Sequence, residues 1–234
     1  AMAALLCASS TLVQAQDTAS SPSSPKLIVT IVDDKFSANL FNQYRSRWTG
    51  GLRRLSDEGL VSSNGYQTHG LTETCPGHST VLTGVLPAQT GIPSNDWIDP
   101  TTGEEVYCLA APGNTLAHGR NSDNGPVGPD NIRASSLGDW IKDQRPGSRV
   151  FAVSGKARGA INLASHRPDG AYWFTDDFGL TTFVEPGQSA PARLAAVDAF
   201  NAEFRRRQAT TPHAWTYSQP QCRALEARWE INGK

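Results

Sequence analysis

Thr72-Glu73-Thr74-Cys75-Pro76-Gly77-His78-Ser79-Thr80 is the stretch around which the rest of the chain is organised. The β-like run Leu60 to Tyr66 leads into it, and His78 to Thr83 predicts a short helix that Gly84 stops. Pro76 suits the start of that helix, because its φ is preset and the N–H it lacks would be an orphan there. Thr74 therefore lies at or just before a helix N-terminus. Unpaired N–H groups and the positive end of the helix dipole gather at such a place and suit an anion or an alkoxide. A hydroxyl there is either an N-cap or a nucleophile, and Ser and Thr are common caps.

Three further segments bear on that choice: Ile31-Val32-Asp33-Asp34 upstream, Asn95-Asp96-Trp97 after it, and Gly155-Lys156-Ala157-Arg158-Gly159 further on. With Thr74-Cys75-Pro76-Gly77-His78 they resemble, in order and spacing, the alkaline phosphatase superfamily, closest to the branch that uses threonine rather than serine. The four together span about residues 27 to 175 and carry far more weight than one short motif. The resemblance implies an α/β fold, part of an α/β/α sandwich of the alkaline phosphatase type, cut short within the sequence given.

The chain has 234 residues, 38% of them hydrophobic, and a formal net charge of −1. That length suffices for one sizeable core, or for one domain and part of another. The charge balance offers no global basic field and no nucleic-acid scaffold, so a phosphate group must be held by local side chains. Fifteen Pro and 21 Gly suggest many loops, as in a sheet-centred enzyme. No apolar run approaches the ~20 residues that span a bilayer.

Residues 1–15 read as a signal peptide without its charged start. Ala1 to Ala8 forms the apolar core, and Val13-Gln14-Ala15 the small-residue cleavage pattern. Cys7 sits in a poor match to a lipoprotein site. Residues 16–25 are a Ser/Pro linker too polar to fold. Residues 26–234 are then the N-terminal part of a catalytic domain, exported to the periplasm or outside. In that compartment Cys75, Cys108 and Cys222 could oxidise, and three leave one unpaired.

Lys26 to Val32 has the continuous apolar pattern of a strand buried on both faces. It ends in Asp33-Asp34, and ligands of open α/β sheets bind at the carboxyl ends of strands. Ser37 to Glu58 has helical apolar spacing, divided or kinked at Gly50-Gly51, with Phe41 and Trp48 read as core packing. Asn95 belongs to a turn-rich loop, where an Asx-turn is the ordinary role for Asn-Asp. Residues 99–134 read as loop. Ser136 to Gln144 predicts a helix and Arg149 to Ser154 a buried strand. On the extended segment that follows, Lys156 and Arg158 would face one way. Gly170 to Phe174 and Thr181 to Val184 predict strands, Ala190 to Gln208 a helix with a basic end, and Trp215 to Lys234 irregular chain. Gly77-His78-Ser79 is no hydrolase nucleophile elbow, because Val81 stands where that motif needs Gly. His78 is expected to pack or orient the helix start.

The resemblance assigns the roles. Thr74 is the nucleophile and a metal ligand, and Asp34 is a metal ligand, with Asp33 its neighbouring rival. Asn95 lies 21 positions after Thr74, the separation of the threonine branch. Its amide can donate to a phosphoryl oxygen without competing for metal. Lys156 and Arg158 hold the substrate phosphate as a point charge and a planar fork. The implied reaction is hydrolysis of a small phosphate monoester through phosphothreonine, with two zinc ions, one activating Thr74 and one stabilising the leaving oxygen. Most zinc ligands of the family are missing, since no Asp is followed four positions later by His and no Asp-His pair occurs. The alternatives are a nucleotide pyrophosphatase/phosphodiesterase of the same superfamily and a non-catalytic secreted fragment.

Overall fold

A computed structural model describes residues 25–119, 125–164, 166–210, 216–217 and 220–227. The expected signal peptide, nearly all of the linker, residues 120–124 and most of the region after 211 lie outside these. The chain divides into two units, Ala1–Lys35 and Phe36–Lys234.

In the first unit residues 27–33 form no ladder. Leu27 and Ile31 are 78% and 77% exposed. The expected buried strand is therefore not observed. An apolar run supplies side chains for a strand, but a strand exists only when another backbone accepts its N–H and C=O groups. Asp34 and Lys35 form a turn, Lys35 with φ 66°.

The second unit begins with α1 (Ala38–Tyr44), capped by the Ser37 hydroxyl, which accepts the Leu40 N–H at 3.2 Å. A 3₁₀ turn separates it from α2 (Gly50–Glu58), and Gly50 has φ 61° at the break. Phe41 and Trp48 meet edge to face with ring centroids 4.5 Å apart. They remain half-buried, packing on one another rather than in the main core. Leu60 to Tyr66 makes no ladder either, and Leu60 is fully exposed, so the second expected strand is also absent.

From there the fold closes around a core. Helix α3 (Thr74–Thr83) is followed by the short α4 (Pro87–Thr90). Strands β1 (Asp96–Ile98) and β2 (Glu105–Tyr107) pair as an antiparallel hairpin. Residues 99–134 are thus not all loop, since β2 and β3 (Thr115–Leu116) fall there. Helix α5 (Leu137–Gln144) forms as expected, with Ser136 as N-cap and its N–H bound to Asp139 Oδ2 at 3.1 Å. Strand β4 (Phe151–Ser154), helix α6 (Ala157–Ala164) and strand β5 (Gly170–Thr175) make a parallel crossover unit. β6 (Gly179–Thr181) adds antiparallel to β5, and β7 (Phe183–Val184) pairs with β3.

β4 is not the buried strand expected. Its residues alternate, Phe151 and Val153 being 50% and 64% exposed while Ala152 packs inward. Among the described residues β5 alone pairs with it, so there β4 is an edge with one covered face. The expected single helix from Ala190 is two, α7 (Ala190–Leu194) and α8 (Asp198–Thr210). Asn201 of α8 clasps β6: it accepts the Leu180 N–H at 2.7 Å and donates to the Leu180 carbonyl at 2.8 Å. Its amide replaces a missing ladder partner. The main core joins Cys75, Ile92, Leu109, Ile161, Trp173 and Phe183 from α3, the hairpin region, α6, β5 and β7.

Candidate active site

Thr74 is the first residue of α3, and Glu73 is the N-cap position. Gly77 N–H reaches back to the Glu73 carbonyl at 3.0 Å, closing the first turn. Pro76 is the third residue, where a missing N–H loses nothing. Ser79 donates to the Pro76 carbonyl at 3.1 Å and Thr83 to the Ser79 carbonyl at 2.7 Å, so these two hydroxyls are satisfied within the helix, whereas the buried Thr80 Oγ1 has no hydrogen bond among the described residues. Gly84 ends the helix in the left-handed region (φ 69°), its N–H bound to Thr80 O at 2.9 Å. That conformation suits a residue without Cβ. Thr74 is half-buried, whereas Cys75, Pro76, His78 and Ser79 behind it are buried. The helix start is therefore anchored in the core and presents Thr74 at its rim.

Asn95 lies in the expected turn-rich loop, at a bend immediately before β1. Its Oδ1 accepts the N–H of Cys75 at 2.9 Å. With the oxygen so engaged, the amide NH₂ is the end left to donate elsewhere. The main-chain N–H of Asn95 donates to Glu73 Oε2 at 2.7 Å, and the Ser94 hydroxyl donates to the same oxygen at 2.8 Å. Thr74 and Asn95 are thus tied together through the residues on either side of Thr74. An Asx-turn does not account for Asn95, because its side chain bonds 20 positions away.

Arg158 is brought to the same neighbourhood. The Glu73 carboxyl is held below its ordinary value of 4.5, first by the Asn95 N–H, then by the Ser94 hydroxyl, with the Arg158 charge adding to both. The geometry of the basic pair differs from expectation. Arg158 is the second residue of α6, not part of an extended segment, and Lys156 precedes the helix. The i, i+2 argument fails there, since helical neighbours two apart point to different sides. Lys156 is exposed, its N–H donating to Ser154 Oγ at 3.3 Å, while Arg158 is half-buried. Arg158 Nε is buried and makes no hydrogen bond among the described residues.

Helices α3 and α6 pack together. Gly159 lets α6 close onto the end of β4, because a Cβ there would lie 2.3 Å from Ser154 Oγ, while His78 Nε2 of α3 at 3.9 Å would be in ordinary contact. His78 is buried against α6, a packing role as expected. Asp34 lies in the first unit, on its turn. Among the described residues no three His, Cys, Asp or Glu side chains gather where they could hold a metal ion.

Sequence reasoning had no role for Glu73 or Ser94. Of the three cysteines expected to oxidise with one left over, Cys75 and Cys108 form the disulfide, and Cys222 is the free thiol among the described residues. Glu73 was visible beside Thr74, but nothing local shows that its partner lies at Asn95.

The chain matches the family described as type I phosphodiesterase / nucleotide pyrophosphatase over residues 28–221. Alkaline phosphatase PhoK of Sphingomonas sp is 42% identical over 159 residues, 68% of this chain and 28% of that protein. Alkaline phosphatase PhoD of Zymomonas mobilis is 36% identical over 191 residues, 80% of this chain and 32% of that protein. A crystal structure of a variant of alkaline phosphatase PafA, substituted at a threonine, an asparagine, a lysine and an arginine, superposes with a TM-score of 0.73. The two are 25% identical, and the match covers 85% of this chain and 38% of that one. The chain therefore spans about a third of the length of these relatives.

Proposed function

This chain belongs to the type I phosphodiesterase / nucleotide pyrophosphatase family, within the alkaline phosphatase superfamily, and we propose that it carries the nucleophile half of a phosphomonoesterase site. Thr74 is the nucleophile, and Asn95, Lys156 and Arg158 receive the phosphoryl group. The observation that carries the reading is the bond from the Cys75 N–H to Asn95 Oδ1, which ties Asn95 to the residue after Thr74 and leaves its NH₂ as the donor end of the amide.

A second observation supports the same four residues. The PafA variant is changed at a threonine and an asparagine 21 positions apart, and at a lysine and an arginine two apart. Thr74 and Asn95 are likewise 21 apart, and Lys156 and Arg158 two apart.

In this reading the Thr74 oxygen forms a bond to phosphorus as the ester oxygen leaves with the alcohol. Water then attacks the phosphothreonine, releasing inorganic phosphate and restoring the hydroxyl. The start of α3 favours the anionic oxygens through its dipole. The Asn95 NH₂ donates to one of them, and the Arg158 guanidinium, whose buried Nε has no hydrogen bond among the described residues, supplies a second donor group.

Zinc enters as part of the proposal through the resemblance. When bound, such ions act as Lewis acids on the attacking and leaving oxygens. This chain offers the Asp34 carboxylate and the Thr74 hydroxyl as oxygen donors. The described residues do not by themselves fit a two-zinc centre, since no three ligand-type side chains converge among them.

The competing reading is a phosphodiesterase, which the family description itself names. Export to the periplasm or outside belongs to the same proposal. Among the described residues no helix is long and apolar enough to cross a membrane.

The test is a covalent trap. The full-length enzyme, quenched in acid during turnover of a labelled monoester, should carry label on Thr74, and Thr74→Ala should carry none. Label on Ser79 or Thr80 would sink the assignment.

A further inference from the structure

A closed ring of contacts passes through Asn95. It starts at Cys75, whose N–H donates to Asn95 Oδ1 at 2.9 Å. The main-chain carbonyl of Asn95 accepts the Cys108 N–H at 2.8 Å. Cys108 returns to Cys75 through a disulfide, with Cα atoms 6.4 Å apart. Both half-cystines are wholly buried. The two sit on different elements: Cys75 is in the first turn of α3, and Cys108 directly follows β2. Asp96 pairs with Tyr107 in the β1–β2 hairpin, so the Asn95–Cys108 bond continues that ladder by one step.

We propose that the Cys75–Cys108 disulfide is a positioning element for Asn95, an inference that rests on the reading of Thr74 and Asn95 given above. One half-cystine holds the side chain of Asn95 and the other holds its backbone. The covalent link fixes the distance between these two anchors. Without it, the helix start and the hairpin end are joined at this point only by hydrogen bonds, each worth a few-fold to about tenfold in an equilibrium. The Asn95 amide would then lose its fixed setting beside Thr74 even in a folded protein. A disulfide that served stability alone would need neither bond to Asn95.

The test is amide hydrogen exchange on the full chain. Four proteins are compared: the parent, Asn95→Ala, the pair Cys75→Ala/Cys108→Ala, and all three changes together. In the disulfide-bonded protein, Asn95→Ala should speed exchange at the Cys75 amide about tenfold, the loss of one hydrogen bond. In the disulfide-free protein the same change should do much less, because that bond is already loosened. The two effects are then coupled, as for residues that share one contact. Equal acceleration in both backgrounds overturns the proposal. So does parent-like exchange at Cys75 in the disulfide-free protein, or an even acceleration over all of α3 and α6. A Cys75→Ser/Cys108→Ser pair is the second variant. If neither pair folds while Asn95→Ala does, the disulfide holds the whole unit rather than Asn95, and the proposal falls.

Turnover of a nitrophenyl phosphate by the full-length enzyme separates this from the functional reading. Coupled exchange with kcat/KM unchanged in Asn95→Ala removes Asn95 from the phosphate site and leaves the ring intact. Uncoupled exchange with kcat/KM lost removes only the ring.

Discussion

Glu73 accepts the main-chain N–H of Asn95 at 2.7 Å, across 22 positions of sequence. The residue before the proposed nucleophile therefore holds the proposed phosphate ligand, and the Ser94 hydroxyl shares the same carboxylate oxygen.

That relationship makes a pH prediction. The Glu73 carboxyl is lowered from 4.5 by the Asn95 N–H, the Ser94 hydroxyl and the Arg158 charge, in that order. A depressed carboxyl pKa contributes stability that is present above the unfolded value and is lost as pH falls through the folded one. Melting temperature in the parent should therefore fall from about pH 4.5 downward, and Glu73→Gln should be lower at neutral pH and flatter through that range. Parallel curves for the two proteins would count against the bond.

The choice between monoester and diester rests on the basic pair. A monoester carries an anionic oxygen that a diester replaces with an esterified group. Charge-assisted hydrogen bonds are worth roughly 1.5–3 kcal/mol each, and each ~1.4 kcal/mol is tenfold in rate. Lys156→Ala/Arg158→Ala in the full-length enzyme should cost about two to four orders of magnitude in kcat/KM on a nitrophenyl monoester. The diester should lose much less. Equal losses would favour the phosphodiesterase reading. Arg158 alone should account for more than Lys156, since it is half-buried, with an Nε that has no hydrogen bond among the described residues, while Lys156 is exposed.

Asp34 is the metal-facing prediction. One carboxylate serves as ligand and as charge balance for a hard or borderline cation. In the full-length protein, Asp34→Ala should lower both bound zinc and turnover, and Asp33→Ala should be milder. Metal analysis giving the reverse order would make Asp33 the ligand.

Gly159→Ala tests the packing that sets Arg158. The added Cβ would lie 2.3 Å from Ser154 Oγ and 3.0 Å from Ser154 Cβ, inside any ordinary contact. Overpacking of this kind costs about 1–3 kcal/mol. The melting temperature should fall, and Ser154→Gly in the same chain should recover part of the loss. An unchanged melting temperature for Gly159→Ala would mean that α6 shifts freely against β4.

What the sequence determined by itself is local. A helix start close to Thr74, the stop of α3 at Gly84 and a helix over Ser136 to Gln144 follow from signals within a few residues, because helical hydrogen bonds join positions four apart; α3 itself begins at Thr74, a turn before the His78 to Thr83 run. The four segments that carry the family resemblance were legible for the same reason, each being a short run of side chains in order. Only the tertiary structure decided what joins them. The runs 27–32 and 60–66 have the apolar content of strands, yet neither makes a ladder in the structure, since a ladder depends on a partner backbone that no local pattern names. The sequence predicts an extended segment at Arg158, whereas α6 begins at Ala157, packs on α3 and meets Ser154 of β4 at Gly159. Glu73 to Asn95, Asn95 to Cys75 and Cys75 to Cys108 are contacts across 20 to 33 positions. A chain so folded pays loop-closure entropy that depends only weakly on separation. Sequence distance therefore carries little information about which residues meet, and the packing of α3 against the hairpin and α6 supplies it.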